Sequence, residues 1–219
     1  MSLVLHGASA SPFVRKARVF LLEKGLPYEL VPVVPFPPAN SSPEFRRISP
    51  LGKIPALTDG DFGISDSSVI CAYLERSHPT PPLYPSDPQA YARALWLEEF
   101  ADSRLVEAVG PVFFQRVIRP GFFKQAPDEE LIRKALSESL PPAFDYLEEQ
   151  LDGVEWLAGG RFSIADIAVA SMLQQLRHGK ETVDAARWPR LAAYAERALS
   201  RPSFKGCVAE ETQLLASLA

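Results

Sequence analysis

Apolar residues change their period along this chain, and the change divides it in two. Over the first 78 residues short apolar runs alternate with amphipathic stretches, whereas beyond residue 88 the spacing is helical throughout. Leu3-Val4-Leu5 suffices for one buried strand, and His6 to Ser11 is a small, polar loop. Ser11 before Pro12 predicts a helix start, with serine as the N-cap and proline at the first helical position. Phe13, Ala17, Phe20 and Leu21 fall on one face of that helix, Arg15, Lys16 and Arg18 fall mostly on the other, and Gly25 ends it. Tyr28 to Val34 is β-rich, and Pro32 predicts an edge position. Strand, helix and strand in this order make a βαβ unit with parallel strands and a right-handed crossover. The stretch from Pro35 to Pro50 is irregular, with one helical turn expected at Glu44 to Arg47. Ile54 to Leu57 then reads as a strand whose start or edge must hold Pro55, because a proline has no N–H to give a sheet interior. Asp59-Gly60 and Phe62-Gly63 supply the turn chemistry of a hairpin. Ser65 to Ser68 precede Val69, Ile70, Tyr73 and Leu74 at helical spacing, which predicts a helix N-terminus. Residues 1–78 are therefore expected to fold as βαβ followed by ββα around a four-stranded mixed sheet.

The prolines 79, 81, 82, 85 and 88 mark residues 79–88 as a linker. Residues 89–219 are expected to be all-helical. Gln89 to Ile118 carries Ala94, Leu97, Phe100, Ala101 and Leu105 on one face, with a kink or interruption expected at Pro111. Asp128 to Leu151 is a second long helical pattern, with a kink or break expected at Pro141-Pro142. Gly159-Gly160 is a turn, and Ser163 with Asp166 three residues on imitates a capping box at the head of a third helix, a structural device. Trp188-Pro189 begins a helix to about Leu199, and the tail is helical in composition.

Composition narrows the function classes. A chain of 219 residues, 47% hydrophobic, is long enough for one large or two small domains with a sizeable core. Its net charge of −4 supplies no basic surface, so no nucleic-acid partner is expected. The longest apolar runs fall far short of a membrane span, and Met1 to Val4 lacks the basic start of a signal peptide. Cys71 and Cys207 stand far apart, and His6, His78 and His178 show no ligand spacing. A reduced, cytoplasmic protein without a metal is expected.

The candidate chemistry gathers at helix starts. The start near Asp66-Ser67 combines amide N–H groups and partial positive charge, which suit a carboxylate, with an adjacent aspartate, which suits an ammonium. Together they fit an amino-acid head group, although serine and aspartate there also serve simply as caps.

Four stretches in order resemble the cytosolic glutathione transferase family: Ser11-Pro12-Phe13-Val14-Arg15-Lys16-Ala17-Arg18-Val19, Leu51-Gly52-Lys53-Ile54-Pro55-Ala56-Leu57, Asp66-Ser67-Ser68-Val69-Ile70-Cys71-Ala72-Tyr73-Leu74, and Phe162-Ser163-Ile164-Ala165-Asp166. The resemblance covers nearly the whole chain. It implies an α/β thioredoxin-like N-terminal domain followed by an all-α C-terminal domain, with glutathione as co-substrate and no metal. It also implies a cis peptide before Pro55, with the backbone of Ile54 pairing with the cysteinyl part of glutathione. Asp66 and Ser67 match the pair that holds the γ-glutamyl head, aspartate standing one methylene short of the family's glutamate. Lys53 matches a position used for the glycyl carboxylate, and a solvated surface lysine is the alternative. Ser11 matches the catalytic serine of the plant-type and related bacterial members; it would donate to the glutathione sulfur, and Ser9 is the competing candidate. A hydrophobic electrophile would meet Phe13, Phe113, Phe114 and Val117, residues that ordinary core packing also explains, with Phe122-Phe123 as a further candidate lid. A homodimer is expected, formed through the region of the Asp66–Glu75 helix and the first long helix of the second domain. The rival readings are a glutathione-dependent isomerase or peroxidase on the same site, and a non-catalytic binding protein that keeps the fold.

Overall fold

Strand β1 (Leu3–His6) runs into helix α1 (Pro12–Glu23) and then strand β2 (Tyr28–Val31), which pairs parallel to β1. The computed structural model describes residues 3–217. After a 3₁₀ turn at Ala39–Ser41, the short helix α2 (Pro43–Ile48) fills the expected helical turn. Strands β3 (Ala56–Asp59) and β4 (Phe62–Ser65) form the hairpin, and α3 (Ser67–Ser77) follows. The strand order is β2-β1-β3-β4, with β3 antiparallel to both β1 and β4. β2 is an edge strand and stops at Val31, so Pro32 never has to donate to a ladder. Pro55 stands just ahead of β3, and Gly60 turns the hairpin at φ 59°, a left-handed conformation that glycine adopts without a Cβ clash.

The sheet's core face is Leu3, Leu5 and Leu57, covered by Val14, Ala17, Phe20 and Leu21 of α1 and by Ile70 and Leu74 of α3. α1 and α3 pack against each other. Each fully buried Phe or Leu contributes roughly 1.5–3 kcal/mol over an exposed one. Arg15, Lys16 and Arg18 depart from the expected charged face: they are 0%, 1% and 4% exposed. Burial of such side chains requires polar partners. Arg18 Nε donates to Tyr28 Oη at 2.8 Å and Lys16 Nζ to Ser68 Oγ at 2.8 Å.

The chain parts into two compact units between Leu83 and Tyr84. The second unit is helical. α4 (Pro88–Phe100) continues through a wide π-type turn, Ala101–Leu105, into α5 (Val106–Phe113), a second such turn at Phe114–Ile118, and α6 (Arg119–Gly121). Pro111 lies inside α5, and the backbone stays helical through it. α7 (Glu129–Lys134) passes through a third wide turn, Ala135–Ser139, into α8 (Leu140–Gln150). Pro141 and Pro142 thus occupy the first turn of α8, and the helical pattern changes its bonding just before them. α9 (Ile164–His178), α10 (Pro189–Leu199) and α11 (Pro202–Ala216) complete the unit. α9 is its axis, buried at every residue from Ile164 to Leu176 and packed against α4, α5 and α10. The architecture is a thioredoxin-like sheet domain followed by an all-α domain, as the resemblance implied.

Candidate functional site

One row of the sheet gathers the predicted points of the site. His6 of β1 pairs with Ala56 of β3, and Ala56 pairs with Ser65 of β4. The loop to Ser11 leaves β1 after His6, Ile54-Pro55 enters β3 just before Ala56, and Asp66-Ser67 follows Ser65. Ser11, Ile54 and Asp66-Ser67 therefore stand in that order along one end of three adjacent strands. Two strand spacings are about 10 Å, which is also the reach of about three extended residues.

Ser11 is the N-cap of α1, in extended conformation, and its Oγ accepts from the Val14 N–H at 3.4 Å. Its own N–H donates to Ala8 O at 3.0 Å and closes the turn that contains Ser9. Capping uses the serine oxygen as acceptor and leaves its proton to donate outward, beside the positive end of a twelve-residue helix. Gly7 brings this loop against Ile54: a Cβ there would stand 2.5 Å from Val14 Cγ2 and 3.4 Å from Ile54 Cβ. The Ile54–Pro55 peptide is cis, as the resemblance implied. Ile54 is half-buried and Lys53 exposed, and the Lys53 carbonyl accepts from Ser49 Oγ at 2.7 Å. His6 sits in the same row, its Nε2 3.4 Å from Thr58 Oγ1, and burial lowers its pKa below the ordinary histidine value.

Asp66 caps α3. Its Oδ1 accepts from Ser68 N–H at 2.9 Å and Val69 N–H at 3.2 Å, while Oδ2 makes no hydrogen bond to the described residues. Capping thus occupies one oxygen of an exposed carboxylate and leaves the other for the ammonium expected there. Its backbone has φ 81° and ψ 130°, a left-handed region that costs a non-glycine residue about 1–3 kcal/mol and clusters at ligand clamps. Ser67, 3% exposed, is the first residue of α3, and its N–H belongs to the first-turn amides that have no partner within the helix.

The apolar candidates fare unequally. Phe13 is half-buried near the head of α1. In the second unit Phe113 is 8% exposed, its ring 6.4 Å from that of His178, while Val117 is half-buried. Phe114 is 39% exposed, with Phe123 6.2 Å away and Phe122 5.2 Å from Phe123. Ser163 and Asp166 form the capping box of α9, a scaffold feature. Sequence reasoning missed Lys16 and Ser68, because period alone placed Lys16 on a polar face and gave no sign of its partner. Among the described residues no three His, Cys, Asp or Glu side chains gather as metal ligands, and no helix is long and apolar enough to cross a membrane.

Comparison with known proteins gives this arrangement a family. Residues 5–82 match the model of the glutathione S-transferase N-terminal domain, and residues 113–210 that of the glutathione S-transferase C-terminal domain. The chain is 33% identical to glutathione S-transferase 3 of Zea mays over 211 residues, 94% of this chain and 93% of that protein. It is similar to the crystal structure of glutathione transferase F7 from Populus trichocarpa, with a TM-score of 0.84 and 28% identity over 95% of this chain and 98% of that one. It is also similar to a glutathione S-transferase-I bound with lactoylglutathione, with a TM-score of 0.86 and 27% identity over 95% of this chain and 99% of that one. With both of its units matched by the family's domain models and a relative 33% identical over nearly its whole length, the chain belongs to the glutathione S-transferase family.

Proposed function

We propose that this chain conjugates the thiolate of glutathione to small hydrophobic electrophiles. The observation that carries the reading is the strand register that brings the segments holding Ser11, Ile54 and Asp66-Ser67 to one end of three adjacent strands. Glutathione lies along it in the same order: its sulfur beside the Ser11 hydroxyl, its cysteinyl backbone against that of Ile54, and its γ-glutamyl head at Asp66-Ser67. Asp66 Oδ2 meets the ammonium, and the Ser67 hydroxyl and N–H meet the carboxylate. Lys53 is the candidate for the glycyl carboxylate.

Ser11 donates a hydrogen bond to the sulfur and favours its ionised form. Lowering a thiol pKa of about 8.5 by about 2 units takes roughly 2.7 kcal/mol of preference for the thiolate. A hydroxyl donor and the N-terminus of α1 both act in that direction. The thiolate then attacks the electrophilic atom, and the electrophile's leaving group departs with the displaced electron pair. No side chain of the protein is bonded covalently to substrate at any point. The candidates for contact with the electrophile are Phe13 in the first unit and Phe113, Phe114 and Val117 in the second; exposure favours Phe114 among the last three. We place the protein in a reducing, cytoplasmic setting, which suits two buried free cysteines, and expect it to act as a homodimer.

The test is Ser11→Ala, with glutathione binding and titration of the bound thiol measured together. Binding is expected to stay near normal while the thiol pKa rises by about 1–2 units, because the donor alone is lost. An unchanged pKa in Ser11→Ala, with a raised one in Ser9→Ala, would move the role to Ser9.

A further inference from the structure

Lys16 is a lysine that has been taken almost wholly out of water, 1% exposed, on the helix whose cap is Ser11. Its Nζ donates to Ser68 Oγ at 2.8 Å, across 52 residues of sequence. Ser68 is the second residue of α3, and its N–H donates to Asp66 Oδ1 at 2.9 Å. Two hydrogen bonds, ammonium to Ser68 hydroxyl and Ser68 amide to Asp66 carboxylate, thus lead from the helix of the thiol donor to the Asp66 cap. A cation near a helix N-terminus stands against the dipole, so helix stability does not account for Lys16 at the head of α3. The left-handed backbone at Asp66 persists only where its surroundings over-determine it. Ser68, held from one side through its N–H and from the other through its Oγ, supplies that constraint.

We propose that Lys16 is a positioning residue for the head-group end of the site: through Ser68 it fixes the Asp66-Ser67 turn in register with Ser11. The inference rests on the glutathione reading above and adds a residue to it. Lys16 touches no reacting atom. It sets where the γ-glutamyl clamp stands relative to the sulfur, and so acts on affinity for the tripeptide and not on ionisation of its thiol.

Ser68→Ala is the decisive variant, because it removes the link and leaves every other contact of Lys16 in place. Kd and KM for glutathione are expected to rise about tenfold, with kcat at saturating glutathione within about twofold of wild type. The pKa of the bound thiol is expected to stay where it was. γ-Glutamylcysteine, which has the head and lacks the glycine, should lose affinity by the same factor. Lys16→Met should reproduce these effects, and Lys16→Arg should recover part of the affinity by keeping a donor. Wild-type affinity in Ser68→Ala overturns the proposal, as does a fall in kcat with a shifted thiol pKa, which would mark general loosening. A wild-type chain that binds no glutathione by calorimetry overturns the underlying reading as well, so the two failures are told apart.

Discussion

Asp66 and Asp166 show how differently one residue type is used in this chain. Asp66 is exposed and uses one oxygen to cap its helix, while the other is the proposed ligand contact. Asp166 is wholly buried, and both of its oxygens are taken: Oδ1 by Leu157 N–H at 3.0 Å and Tyr194 Oη at 3.2 Å, Oδ2 by Ser163 N–H at 2.9 Å and its hydroxyl at 3.1 Å. Burial outweighs these four donors and raises the carboxyl from 3.8 to about 6. Because the folded pKa lies above the unfolded one, the native state holds a proton between these values that the unfolded chain has released. Stability from this group is therefore fully present below about pH 4 and is lost as pH rises to about 6, by roughly 3 kcal/mol at about 1.36 kcal/mol per unit. Asp166→Asn cannot titrate. Urea unfolding of both proteins from pH 4 to pH 7 should show the stability advantage of wild type shrinking across that window; a constant difference would refute the assignment. The local half of this network was legible, since Ser163 and Asp166 lie at capping-box spacing. Tyr194 was not, because it reaches Asp166 from another helix 28 residues away, and no local pattern records that.

At the scale of elements, the buried charges of α1 decide what holds the first unit together. Its C-cap residue, Lys24, is 6% exposed, with Nζ donating to His78 O and Pro81 O, both at 2.7 Å, and standing 2.5 Å from Glu75 Oε2. Glu75 Oε2 also accepts from Leu83 N–H at 3.2 Å. One ammonium thus joins the end of α1 to the end of α3 and to the proline-rich segment beyond it. Lys24→Met keeps the packing stem but leaves a partly buried carboxylate and two carbonyls unmatched, and should cost about 3–5 kcal/mol in urea unfolding. A loss under about 1 kcal/mol would show that water replaces the lysine freely. Helices, strands and their order were readable because period and caps are local. The burial of α1 was not: its basic residues obey an amphipathic period, yet Arg18 and Lys16 find partners beyond the helix, at Tyr28 and Ser68. Periodicity records side-chain type, whereas burial depends on whether the polar group finds a hydrogen-bond partner.

For the whole molecule, the two units meet between Leu83 and Tyr84, inside the proline-rich residues 79–88 across which the apolar period changes. The candidate site could be proposed from sequence for a related reason: strand ends and helix caps leave marks there. The proposed electrophile contacts left no such mark, because apolar core and apolar surface look alike in sequence until exposure separates Phe113 from Phe114. Exposure also supplies the argument for assembly. On the first unit Phe62 and Val69 are 48% and 46% exposed, Ala72 is exposed one turn beyond Val69, and the Tyr73 ring lies 5.0 Å from that of Phe62. Exposed apolar residues on β4 and α3, one of them in ring contact with Tyr73, are of the kind that marks a protein contact. If a second copy covers them, a carboxylate among them is desolvated without a partner, a change severe enough to separate the chains. Wild type is expected to sediment as a dimer at micromolar concentration, and the double variant Phe62→Ser with Val69→Glu as a monomer. Glutathione binding retained by the variant would show that each chain stays folded. A wild-type monomer, or a variant that sediments as the dimer, would exclude this face as the contact.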